Sequence, residues 1–582
     1  MVRQERSTAP VCINPNYMTL RSPQILALAA VLAASAAPRT LWAQTTRGKI
    51  EDAEIEIVKE RVNQLPEATR NFDKIKIEPP AKGDQQVKYS FQDFQLPSNN
   101  LNPSVRVLTI KQEELAPLLG NYAKAALGNY GSLYGKLYLH NTRDNAASYG
   151  VNLSHISSAK GPVDGKNSAS SQSSLGLNGE TYSGPLTLGG SLDLGHERYN
   201  FYGYKPQNDR PDADSLKHAF NRAAAKVYLR NRAADAQFQY DLSAGFNFWK
   251  DNLEARESNF LVGLQSKYYL TENTRVAING DASFISYKDS LTVSRPYVQV
   301  TPAFEVDLDR LDISLGATIG YTGDTVGTAK QLSVNPAVRL GYTVAEDKFV
   351  VFAGLGGGLQ RVTMYDLSTE NPWLGRNQRV ADTHRGPSLF FGFNASPVRA
   401  LEVNAKVTVA QDQNLYFYNN SMRDQSRFDL VYDRKSTQLL NVHGEVLYNA
   451  AERFRLGFKG DYNGYKVHSL EKAYHRPAFQ GSVFGTYNMN EKLLLGAQLY
   501  TLSSSFGSEF IPGTFEPAYT PDRLAPKATD SVIDLNLRAD YRFSENLSIF
   551  ALGNNLLGRK YERFLYYPVK GVNVLAGVTY EF

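Results

Sequence analysis

The last eleven residues, Val572 to Phe582, alternate without a break. Phe582, Tyr580, Val578, Ala576, Val574 and Val572 fall on one face of an extended chain. Glu581, Thr579, Gly577, Leu575 and Asn573 fall on the other. Successive strand side chains point to opposite faces. A stretch of about ten residues with one greasy and one mostly polar face is the pattern of a transmembrane β-strand. The pattern recurs upstream. Ile533, Leu535, Leu537, Ala539, Tyr541 and Phe543 oppose Asp534, Asn536, Arg538, Asp540 and Arg542. Phe454, Leu456, Phe458, Gly460 and Tyr462 oppose Arg453, Arg455, Gly457, Lys459 and Asp461. Ala236, Phe238, Tyr240, Leu242, Ala244, Phe246 and Phe248 oppose Gln237, Gln239, Asp241, Ser243, Gly245 and Asn247. Helical spacing would scatter these sets. A β-sandwich with one wet face would not, so connection lengths have to separate the two folds.

Counted back from Phe582, short polar turns alternate with longer loops. The turns are 544–546, 490–492, 449–453, 397–400, 345–348, 307–310, 271–274, 231–235, 183–186 and 143–146. Longer stretches such as 503–530, 418–436, 364–385, 196–217 and 158–170 lie between them. Outer-membrane barrels sort their connections this way, with tight periplasmic turns and long external loops. Both ends of the barrel then lie on the periplasmic side and the strand number is even. The expected fold is an all-β, antiparallel transmembrane barrel over 119–582. It has 22 strands, or 20 if one hairpin is lost, and begins with a pair near 120–128 and 132–140.

Composition allows this. The 42% hydrophobic content includes no run after residue 44 that reaches the roughly 20 apolar residues of a spanning helix. The 35 Tyr and 29 Phe suit interfacial girdles. Ile25 to Ala37, preceded by Arg21 and followed by Thr40 to Gln44, has the form of a secretory signal. Residues 1–43 are therefore expected to be removed, with Met18 an alternative start. The only cysteine, Cys12, leaves with them. Four Arg and one Glu also leave, and net charge falls from +5 to +2. Such a balance gives no basis for a nucleic-acid partner. Residues 44–118 form a periplasmic or lumen-filling segment. Its Pro66, Pro79, Pro80 and Pro97 suggest an extended linker over 61–104.

No catalytic constellation emerges. None of the eight His residues lies in a His-Glu-x-x-His motif, and no Gly-x-Ser-x-Gly elbow occurs. His468, His475 and Glu471 share a loop that reads as solvated rather than metal-binding. His218 with Asp212 or Asp214 is an imaginable dyad with nothing to orient it. Gly354 to Leu359 imitates a phosphate loop, yet lies inside a strand pattern. No enzyme, cofactor or metal is expected. Binding is better served. Tyr202 and Tyr204 on one long loop, and Phe506, Phe510, Phe515 and Tyr519 on another, are candidate ligand-gripping aromatics. The same rings are equally suited to packing against neighbouring loops. Trp249 reads as a girdle residue.

The hairpin Ser548-Ile-Phe-Ala-Leu-Gly-Asn-Asn-Leu-Leu-Gly-Arg-Lys-Tyr561, followed by the terminal Gly577-Val-Thr-Tyr-Glu-Phe582, resembles the C-terminal hairpin of TonB-dependent receptors. The resemblance implies a 22-strand barrel in a Gram-negative outer membrane. It also implies that Val578, Tyr580 and Phe582 are the signal read by the barrel-assembly machinery. It covers 119–582. Residues 44–118 are fewer than the family's plug domain needs, so the plug is shortened or absent. Ala53 to Glu60 is similar to a TonB box, the segment that pairs with a TonB-type energising protein; an ordinary periplasmic strand is the plainer reading. A 22-strand barrel encloses a wide lumen that is normally plugged. Residues 44–118, inward loops or a partner protein would have to fill it. The function implied is ligand binding and transport across the outer membrane. The alternative is a plugless, non-transporting barrel that serves as a structural subunit of an outer-membrane assembly.

Overall fold

A computed structural model describes residues 120–582 apart from 142–143, 205–210, 232, 234, 328, 451–452 and 514–520. The expectations for 1–43, 44–118, the TonB-box-like stretch 53–60, Phe515 and Tyr519 fall outside the described residues.

Twenty-two antiparallel strands close on themselves. Each pairs with its neighbours in chain order. The first, Tyr122–Gly128, pairs with Ser132–His140 on one side and with the last, Asn573–Glu581, on the other. The final register sets Ala123 opposite Tyr580 and Ala125 opposite Val578. Closure leaves no unpaired sheet edge, which hydrocarbon would penalise by several kcal/mol per unsatisfied group.

Ten connections gather at one rim, and they are the ten turns expected from sequence. Asp309, Asp347, Asn490 and Glu491 take positive φ there (36°, 55°, 53° and 58°). Asn490 and Glu491 together give the two left-handed central residues of a tight hairpin turn. Eleven connections gather at the opposite rim, here called the loop rim. Three of them, 129–131, 252–255 and 289–291, are short, so sorting by length is a tendency and not a strict alternation. Three others carry hairpins of their own: Tyr416–Asn420 with Phe428–Tyr432, Phe506–Ile511 with Arg523–Ala528, and Glu562–Phe564 with Tyr567–Pro568. One holds a short helix, Met364–Glu370.

The two wall faces differ as the alternation demands. Phe246, Leu537 and Val578 are 46%, 44% and 47% exposed on the outer face. Tyr580 and Phe582 share that face with rings 5.9 Å apart. An apolar surface of this extent, carried by every strand, belongs in lipid. The inner face carries Gln265, Lys267, Arg275, Glu305, Asp540 and many other polar residues. Val262 faces lipid in mid-strand, and Gln265 is exposed to the lumen three residues on. Val262→Arg is expected to lower stability by about 2–4 kcal/mol. Gln265→Arg is expected to change it by less than about 0.5 kcal/mol. Denaturant titration of the folded, heat-modifiable band measures both.

Gly354 to Leu359 lie inside the strand Phe349–Gln360, as expected. A bulge at Gly356/Gly358, with Gly358 at φ 154°, bends the wall there. Trp249 departs from expectation. It is 1% exposed and faces inward, because it follows the outward Phe248 by one residue.

Candidate functional site

The longest loops do not stand away from the barrel. They fold over its mouth and meet. Counting from Tyr122–Gly128, strands five and six are Leu186–Asn200 and Lys217–Asn231, and strands fifteen and sixteen are Leu401–Gln413 and Thr437–Ala450. These pairs stand ten strands apart in a ring of 22. Their loops nonetheless touch: the Arg427 guanidinium lies 4.5 Å over the Phe201 ring. Such a contact requires the loops to span the opening.

Loop 361–382, between strands thirteen and fourteen, forms the middle of this cap. Thr363 caps its helix by accepting the Asp366 N–H at 3.2 Å. Glu257, on the inner wall and 2% exposed, accepts the Met364 and Tyr365 N–H groups at 2.9 and 3.2 Å. Arg222, also on the inner wall, donates to Ser368 Oγ at 3.0 Å, to Thr369 Oγ1 and to the Tyr365 carbonyl. Past the helix, Trp373 Nε1 donates to the Asn200 carbonyl at 3.0 Å. Gln378 accepts the Leu430 N–H at 2.8 Å, and Gly375 N–H donates to the Phe428 carbonyl at 2.8 Å. These last two bonds join loop 361–382 to loop 414–436.

A buried charge cluster ends the loop. Arg295 on the wall is 2% exposed. It meets Asp324 at 2.5 Å and Asp382 at 2.7 Å, and donates to the Val362 carbonyl at 2.9 Å. Asp382 also accepts from Thr322 Oγ1 at 2.8 Å and from the Val362 N–H at 2.9 Å. Burial holds the Asp382 carboxyl above its usual range, although Arg295 pulls the other way.

Above the charges lies an aromatic core. Phe220 and Trp249 from the wall join Leu367, Leu374, Phe428, Phe564 and Tyr567 from three loops. The Trp373 and Tyr567 rings stand 4.0 Å apart. His475, from a fourth loop, bridges two others. Its Nδ1 donates to the Tyr418 carbonyl at 2.7 Å, and its Nε2 accepts the Leu565 N–H at 3.1 Å. Acceptance at Nε2 requires a neutral ring, and burial pushes its pKa down to about 4. Arg222, Glu257, Arg295 and His475 each hold at least one hydrogen-bond partner in a loop, as a lasting closure requires.

The loop aromatics singled out in sequence divide. Tyr202 lies in the cap core, 4.7 Å from the Tyr567 ring and 5.6 Å from Trp373. Burial raises its hydroxyl pKa. Tyr204 is half-buried and donates to Asp164 at 2.6 Å. Phe506 packs in a separate cluster with Phe417 and Tyr474, under the Lys472 ammonium at 4.7 Å. Phe510 is half-buried, and its N–H donates to Gln425 at 3.0 Å. His218 meets neither Asp212 nor Asp214. Its Nδ1 donates to the Pro372 carbonyl at 2.8 Å, and its Nε2 lies 3.4 Å from Asp251. The loop holding His475 is not simply solvated, since this ring is buried. Among the described residues no group of three or more His, Cys, Asp or Glu is placed to hold a metal ion.

Sequence reasoning passed over Arg295 and Glu257, and marked the loop at 361–382 only as a long connection, 364–385. The two-residue period puts Arg295 and Glu257 on the inner face, but nothing local ties them to a loop. Glu257→Ala would strip the acceptor from two helix N–H groups, at a cost of about 1–3 kcal/mol. Hydrogen exchange at the Met364 and Tyr365 amides should quicken by at least tenfold, with the barrel amides unchanged.

No family model matches the chain, and no curated protein does. Solved structures do. The FrpB iron transporter of Neisseria meningitidis superposes with a TM-score of 0.61 at 11% identity, over 80% of this chain and 81% of its own. The siderophore receptor PirA of Acinetobacter baumannii gives 0.60 at 9%, over 79% and 80%. The pyoverdine outer membrane receptor FpvA of Pseudomonas aeruginosa gives 0.57 at 11%, over 79% and 78%. All three are TonB-dependent receptors. This chain has the TonB-dependent receptor fold. In outer-membrane barrels short turns lie on the periplasmic side and long loops on the external side; the cap described here closes the loop rim. At this identity the likeness concerns fold alone. The ligand named for each neighbour remains that neighbour's.

Proposed function

We propose that this barrel is an outer-membrane receptor that binds a ligand at its external loops and admits it to the lumen when the loop cap opens. The observation that carries this reading is a polar lumen closed by loops from opposite sides of the ring. A purely structural barrel has no need for a cap of interlocking, separately anchored loops. Tyr204, Phe506 and Phe510, with Phe515 and Tyr519, supply the aromatic rims for first capture. Tyr202 belongs to the part of the cap that must move aside. Opening costs the buried contacts of loop 361–382, so passage calls for an energy source. A TonB-type energising protein acting on residues 53–60 fits that need. Val578, Tyr580 and Phe582, apolar and outward on the terminal strand, suit recognition by the barrel-assembly machinery. Residues 1–43 act as the signal peptide, 44–118 as the periplasmic or lumenal segment and 119–582 as the barrel.

The test is capture of the energising protein by the full chain in neutral detergent. Binding that disappears on deleting residues 53–60 supports energised passage. Failure of the intact chain to bind overturns it. A sealed barrel serving as a subunit of an outer-membrane assembly would then be the reading.

A further inference from the structure

Most of the lumenal cations described above have a carboxylate. Arg222 has Glu197, Arg275 and Lys267 share Glu305, and Arg295 has two aspartates. Arg385 forks onto Asp412 with both bonds under 3 Å. Arg339 and Lys406 differ. Each sits on an aromatic ring instead: the Arg339 guanidinium lies 5.1 Å over Phe352 and the Lys406 ammonium 4.9 Å over Phe390. The two rings are 6.5 Å apart.

All four side chains face the lumen, because Leu340, Leu355, Leu389, Phe391 and Val409 take the exposed outer positions of the same strands. The rings are seated by glycine. A Cβ on Gly354 would stand 2.3 Å from the Phe390 ring, and one on Gly392 would stand 2.7 Å from the Phe352 ring. Each ring therefore lies in a slot left by a glycine on a paired strand, and each cation rests on a fixed floor. Asp312 and Glu305 act on Arg339 only from beyond ion-pair distance, and Glu305 is already taken by Arg275. The field that Lys406 feels comes from Arg339 and Arg385. Arg339 Nε is buried without a hydrogen-bond partner. Such an arrangement leaves two cations without a paired carboxylate on a half-buried stretch of the inner wall, where they attract an anion.

We propose that Arg339 and Lys406, held on Phe352 and Phe390, form a lumenal binding site for an organic anion with at least two acidic groups. The two cations come from strands three apart and flank a pair of rings. A ligand with one acidic group engages one of them; a ligand with two, spaced on a flat body, engages both. The site needs a lumen that solute can enter, but not the energised passage proposed above. Failure to capture an energising protein would leave it standing.

The probe is pyranine, a flat fluorescent trisulfonate, titrated by polarisation against the full chain in neutral detergent. Saturable binding is expected. Combined Arg339→Gln and Lys406→Gln should weaken it at least tenfold. Lys226→Gln, which removes a lumenal cation 5.7 Å over Tyr228 on another part of the wall, should leave it within twofold. Heat-modifiable gel mobility confirms that each variant is folded. The site is refuted by a native chain that shows no saturable binding, by a double variant that binds as well as the native chain, or by an equal loss in Lys226→Gln.

Discussion

Replacing Arg295 by Ala is expected to unseat loop 361–382 while the barrel wall stays folded. The side chain is almost wholly enclosed and faces two carboxylates within 2.7 Å. Deleting it leaves Asp324 and Asp382 buried beside each other with no cation. Breaking a buried pair by removing one partner costs about 3–5 kcal/mol, chiefly because the remaining charge is stranded. The wall has the pairings of 22 strands to absorb a local loss, whereas the loop has only its anchors. The loop should therefore fail first. Arg361, Arg376 and Arg379 lie within it and offer trypsin sites. Trypsin added from outside should cut the variant there at least a hundredfold faster than the native chain. Asp324→Asn combined with Asp382→Asn in the variant should restore much of the resistance, since it removes the stranded charge. Equal cutting of variant and native chain would show that this cluster does not hold the cap.

The second large effect concerns acid. His475 takes a left-handed backbone conformation, φ 53°, and its neutral ring ties loop 467–478 to loops 414–436 and 555–572. Its pKa falls from an ordinary 6.5 to about 4 when the loops are closed. Between those values the loosened state carries a proton that the closed state refuses. Closure therefore keeps this contribution in full above pH 6.5, loses it as pH falls, and has lost all of it near pH 4. The difference amounts to about 3 kcal/mol. Trp373, its ring 4.0 Å from that of Tyr567, should report it as a red shift of emission across that window. His475→Gln can donate and accept without titrating, and should flatten the transition. A native chain whose emission is unchanged between pH 7 and pH 4 would exclude the latch.

Much of the barrel could be read from sequence because lipid and lumen are such different solvents. Phe454, Leu456 and Phe458 could only alternate with Arg455, Gly457 and Lys459 if two environments lay on either side of the strand. The turns were legible for a similar reason: Asn490 and Asp309, which take positive φ, are of the residue types that tolerate it. Trp249 was misread although the signal was present. Phe248 was already assigned to the lipid face, and parity placed its neighbour inside. The cap was hidden for a different reason. Arg295 reaches Asp382 across 87 residues, and Tyr567 reaches Ser426 across 141. No local pattern announces such partners. Loop length and aromatic content mark a loop as worth attention, but not whether its rings face solvent or one another. Tyr202 met Trp373 and Tyr567, and no feature of its own segment required that.

A lipid-bathed barrel shut at its loop rim by its own loops keeps bulky solutes out of its lumen. Single-cysteine accessibility in whole cells tests it most directly. In a Cys12→Ser background, Gln265→Cys places one thiol on the lumenal face in mid-strand. A bulky, membrane-impermeant maleimide added outside should leave it unlabelled in the otherwise native chain and label it once Arg295→Ala has opened the cap. Prompt labelling of Gln265→Cys with the cap anchors intact would contradict the account.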